Sequence, residues 1–137
     1  MQKESVRAFK NELRNYNYYL YRVTSLENSI EFLYDRLGGV RGIDPSKEPT
    51  HSQPNKELEW KLRDDISRLE AKKRIVEAKI LGIDEILNLI DDPLQTAIKS
   101  VYIHREKCVK VAGELYLSST GLQKRMNKAI EEALNEV

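Results

Sequence analysis

Near the end of the chain, the stretch SSTGLQKRMNK, residues 118–128, gathers hydroxyl, amide and cationic groups without a carboxylate. Wound into a helix, Leu122, Met126 and Ala129 recur at steps of four and three and form its buried stripe. Ser119, Thr120, Gln123, Lys124, Asn127 and Lys128 are then left on the outer face. Such side chains hydrogen-bond base edges and phosphate oxygens in the major groove of a duplex. The expected division of labour gives base edges to Ser119, Thr120, Gln123, Lys124 and Asn127. Phosphates would fall to Lys128, to Lys107 and Lys110 one helix earlier, and to Ser118. As N-cap, Ser118 opens the helix, whose unpaired N–H groups also suit a phosphate.

Holding that face in place requires a second helix across a tight turn. Val111 and Leu115 supply its core side over about 107–115, and Ala112 is small where two helices must press together. Leu117 plugs the turn from below, and the following helix is expected over 118–135. Upstream, DDPLQ reads as a helix start, with Asp92 as N-cap, Pro93 at the first helical position and Gln95 completing a capping box. Leu94, Ala97, Ile98 and Val101 make that helix amphipathic. Three short helices in the last 45 or so residues form a compact tri-helical, helix-turn-helix unit over 91–137.

The remainder is patterned for length. Val6, Phe9, Leu13, Tyr16, Leu20, Val23, Leu26, Ile30, Leu33 and Leu37 draw one stripe along a helix that Gly38-Gly39 should end. Residues 38–55, with their glycines and prolines, read as an irregular connector. A second helix should open near Asn55, with Glu57 in its first turn. Leu62, Ile66, Leu69, Lys73, Val76, Ile80, Ile83, Leu87 and Ile90 form its heptad seam, broken by one lysine. Gly82 weakens that helix locally and leaves a bend open. The expected fold is all-α: a long antiparallel helical hairpin (coiled coil) over 1–90, then the tri-helical unit.

Charge supports that division. The net balance is only +1, but between Lys99 and Lys128 seven basic groups face only Glu106 and Glu114. Other chemistries find less support. His104 and Cys108 are four apart, yet with His51 alone elsewhere a zinc site lacks ligands. Asp64-Asp65 lie on a solvated helix face, and Asp91-Asp92 serve a helix start. In NYNYYLYR, residues 15–22, Tyr16 lies on the seam and Tyr19 flanks it. Aromatics beside Arg14 and Arg22 suit the stacking of a single strand, but Tyr18 and Tyr21 alone point away. Core and ordinary exposed tyrosine is therefore the expected reading, with those two as a surface for a partner or for self-association. No nucleophile–base pair or phosphate-cradling glycine loop is present, so neither an enzyme nor a cofactor is expected. One cysteine, no basic-then-apolar leader after Met1 and no apolar run of about 18 residues point to a cytosolic, non-membrane protein.

The closing segment, KCVKVAGELYLSSTGLQKRMNKAIEEAL, resembles the region-four helix-turn-helix of bacterial sigma factors. Val111-Ala112, Leu115, Leu117, Ser118, Leu122 and Arg125-Met126 occupy that pattern's places in register. The wider layout, a long helical hairpin, a Gly/Pro connector and then this unit, resembles the ArpU/RinA-type late-gene regulators of phages and prophages of Gram-positive bacteria. The resemblance implies a transcription regulator that reads promoter double-stranded DNA with the second helix of the motif. The hairpin would either dimerise and set spacing or offer a surface to RNA polymerase. A helical scaffold protein and a phage DNA-packaging recognition subunit are the alternatives. One position departs from the pattern: the turn residue, usually Gly because the backbone takes positive φ there, is Tyr116, at a cost of about 1 kcal/mol. Gly121, a weak helix former, would either admit a phosphate or fray.

Overall fold

The computed structural model describes residues 3–41 and 56–137. It is all-α, with helices α1 (Glu4–Arg14), α2 (Tyr16–Arg41), α3 (Lys56–Asn88), α4 (Leu94–Ile98), α5 (Cys108–Glu114) and α6 (Ser119–Glu136). A π-helical turn, Lys99–Ile103, continues α4 directly. The expected helix start at Asn55, most of the Gly/Pro connector and His51 lie outside the described residues.

Contacts divide the chain elsewhere than at residue 90. One compact unit joins the N-terminal residues up to Leu20 to Ala78–Val137, and the other is Tyr21–Glu77. The expected single first helix is interrupted at Asn15, whose backbone (φ −92°, ψ 0°) closes α1. The face of α1 carrying Val6, Phe9 and Leu13 is buried, and α1 packs on α6 and the π-helical turn. Each such side chain contributes about 1.5–3 kcal/mol on burial. A stripe at steps of three and four shows which face is covered but not by what, so these residues read as coiled-coil seam in the sequence.

Within Tyr21–Glu77, α2 and α3 run antiparallel, as Lys73 pairs with Glu27 while Tyr34 reaches back to Glu70. Ile30, Leu37, Leu62 and Ile66 form the buried cluster, flanked by Leu33, Leu58 and Leu69. Lys73, the polar break in the seam, thus has a partner on the facing helix. Gly38-Gly39 do not end α2, which continues to Arg41, and α3 passes unbroken through Gly82. Glycine disfavours a helix by about 1 kcal/mol relative to alanine but does not forbid it.

In the other unit, Ile83, Leu87 and Ile90 are buried, as are Ala97, Ile98, Tyr102 and Ile103 further on. Gln95 does not complete a capping box. Its Nε2 donates to the carbonyls of Leu87 (2.7 Å) and Ile90 (3.1 Å), satisfying the open end of α3. The N-cap of α4 is Pro93 and its first residue Leu94, one place later than expected. Asp92 still accepts from the Thr96 N–H and hydroxyl, and these bonds hold its carboxyl below the usual range.

Candidate nucleic-acid interface

The turn between α5 and α6 is fixed by its backbone. Tyr116 has φ 58°, the left-handed value that the sequence pattern demands of this position. The N–H of Leu117 donates to the carbonyl of Ala112 (2.9 Å) and that of Tyr116 to Gly113 (3.2 Å). This pair of bonds is a Schellman closure, with Tyr116 at the place glycine usually fills. Its side chain is 95% exposed, so packing contributes little to offset the left-handed backbone.

Around the turn the two helices close tightly. Ala112 is 1% exposed and Val111 is buried, while Leu115 and Leu117 are half-buried. The Cys108 thiol donates to the Ser119 carbonyl at 3.8 Å, a weak bond that spans α5 and α6. Ser118 caps α6, accepting from the N–H of Gly121 at 3.0 Å. A Cβ on Gly121 would lie 3.0 Å from the Ser118 oxygen, so the glycine makes room for the cap.

The buried stripe of α6 is Leu122, Met126, Ile130 and Ala133. Ala129, expected in it, is only half-buried. After Met126 a step of four keeps closer to the stripe than a step of three, and the larger Ile130 takes the core position. Thr120, Lys124 and Lys128, opposite that stripe, and Gln123 on its flank are exposed, as expected. Ser119 and Asn127 are half-buried, which corrects their placement on the open face; Ser119 sits where α5 meets the start of α6. Lys107, Lys110 and Ser118 are exposed. Among the described residues, Lys107, Lys110, Lys124 and Lys128 make no ion pair within the chain, whereas Glu131 is held by Lys3.

No family model matches the chain, and no curated protein or solved structure is found similar to it.

The helices behind this face include residues the sequence did not single out. Lys10 of α1 is buried, its ammonium 5.3 Å from the centroid of the Tyr102 ring, and Arg14 lies 5.4 Å from the same centroid. Burial, then the charge of Arg14, holds the Lys10 ammonium below its usual pKa, while burial pushes the Tyr102 phenol up. Arg14 stood out only beside the aromatic stretch 15–22, and Lys10 gave no signal, because it follows Phe9 next to the apolar stripe. Only the packing of α1 on the π-helical turn reveals the group. His104 is exposed and Cys108 half-buried, and no group of three metal-ligating side chains occurs among the described residues. No described helix is long and apolar enough to cross a membrane.

Proposed function

We propose that this chain is a sequence-specific DNA-binding transcription regulator of the phage or prophage type, reading duplex DNA with α6. One observation carries the reading. A left-handed Schellman turn at Tyr116 joins α5 to an α6 whose outer face is cationic, amide-bearing and exposed. In this reading Thr120, Gln123 and Lys124 face base edges, with Ser119 and Asn127 at the margins of the contact. Lys107, Lys110, Ser118 and Lys128 hold phosphates. A local excess of five positive charges between Lys99 and Lys128 makes the binding steeply salt-dependent.

The test is fluorescence anisotropy with duplex fragments selected from phage or prophage DNA by the purified protein. Gln123→Ala combined with Lys124→Ala is expected to weaken binding by about tenfold or more, with unchanged helix content. Equal affinity of the double variant would remove α6 from the interface.

A scaffold reading is the second one, favoured by the apolar side chains that Tyr21–Glu77 leaves exposed, including Tyr21, Phe32, Trp60 and Ile75. A monomeric protein seldom leaves so many aromatic side chains uncovered without a use for them. In the regulator reading the same residues would serve dimerisation or contact with RNA polymerase.

A further inference from the structure

We propose that Lys10 and Arg14 form a site for a phosphate oxyanion, distinct from the outer face of α6. Lys10 is 4% exposed, yet its ammonium has no hydrogen-bond or ion-pair partner among the described residues. Arg14, one turn on, shares the Tyr102 ring with it. Arg105 is tied to the C-terminal end of the same helix. Its backbone is left-handed (φ 56°), and its Nη2 donates to the Arg14 carbonyl at 3.2 Å. That bond uses one of five guanidinium N–H groups, and Arg14 itself spends Nη1 on Asn11.

No carboxylate answers these charges. Glu12 accepts from the Tyr19 hydroxyl, and neither Glu4 nor Glu106 pairs with any of the three cations among the described residues. Since no fully enclosed side-chain nitrogen or oxygen among those residues lacks a partner, the ammonium keeps some contact with solvent. Placing a desolvated ammonium beside a guanidinium costs free energy that an oxyanion would offset. A phosphate accepts from both the arginine fork and the ammonium. Its source is either the backbone of a nucleic acid, in which case the site rests on the function proposed above and extends it, or a free phosphate or phosphate ester.

The full chain, as wild type, Lys10→Met, Arg14→Gln and Lys124→Ala, is titrated with inorganic phosphate and, separately, with a short duplex, each followed by NMR. Methionine keeps the volume of the buried stem, and Arg14 is exposed, so both variants should fold. Lys10→Met and Arg14→Gln are each expected to weaken binding about tenfold or more in at least one arm, as for loss of a charged hydrogen bond. A loss confined to the duplex arm assigns the site to a backbone phosphate, and a loss in the phosphate arm shows that it takes the free anion. If both variants bind both probes as wild type does, or wild type binds neither, the site is overturned. Lys124→Ala reports separately on α6: unchanged duplex binding there counts against the α6 reading and leaves this site standing.

Discussion

The unit around α6 and the helix pair within Tyr21–Glu77 use the same aliphatic residues but bury them differently. Around α6, Leu13, Ile98, Leu122, Met126 and Ile130 are fully enclosed, because several helices surround each of them. In the pair, the seam reaches Ile30 and Leu37 on one helix and Leu62 and Ile66 on the other. A two-helix seam encloses only its central residues, and the flanking Leu33 and Leu69 stay half-buried. Position along a heptad is therefore a poor guide to energetic weight. The number of neighbouring elements decides how far a residue is removed from water.

That contrast can be broken most sharply at the centre of α6. Met126→Ala is expected to cost about 2–5 kcal/mol of unfolding free energy in urea denaturation, through the lost transfer term and the cavity left behind. Leu33→Ala in the helix pair should cost less than half as much, and equal costs would erase the distinction between the two regions. Next in size, Ala112→Leu should destabilise by about 1–3 kcal/mol, because the α5–α6 contact has no room for the larger side chain. Ser118→Ala removes the cap of α6 and should cost about 1 kcal/mol, seen as a lowered Tm.

Lys10→Met gives the smallest effect and one of opposite sign. The folded-state pKa of Lys10 is depressed, so near neutral pH the charged side chain penalises the folded state, and methionine should raise stability there. As pH rises through the folded pKa toward the ordinary lysine value, wild type sheds the charge and the advantage of Lys10→Met should shrink. A pH-independent difference between the two proteins, measured by chemical denaturation, would mean that packing rather than charge is responsible.

Much of this architecture was legible because local chemistry and periodicity agree. The stop of α5, the cap at Ser118 and the stripe through Leu122 and Met126 all follow from residues close in sequence. The place of the turn was legible but its shape at Tyr116 was not, since tyrosine there gives no signal for the left-handed backbone (φ 58°) that the structure has. The place of α1 was not legible. Val6, Phe9 and Leu13 continue the spacing of the hairpin stripe, and only the interruption at Asn15, a residue with no strong signal, releases α1 to pack on α6. The same gap hid Lys10 and Arg14, whose neighbours Tyr102 and Arg105 lie about ninety residues away in sequence. At the interface, the outward assignment of Thr120, Gln123, Lys124 and Lys128 followed from helical projection. Ser119 lies three residues before Leu122 and seven before Met126, so projection itself sets it on the stripe side, and Asn127, three before Ile130, flanks the stripe.

The most direct measurement of the central claim is a map of backbone amide shifts in the full chain as a selected duplex is titrated in at low salt. The account predicts the largest perturbations over residues 118–128, with Gln123 and Lys124 among them, and smaller ones at Lys107 and Lys110. Saturable duplex binding that leaves those amides unmoved, with shifts confined to Tyr21–Glu77, would contradict it.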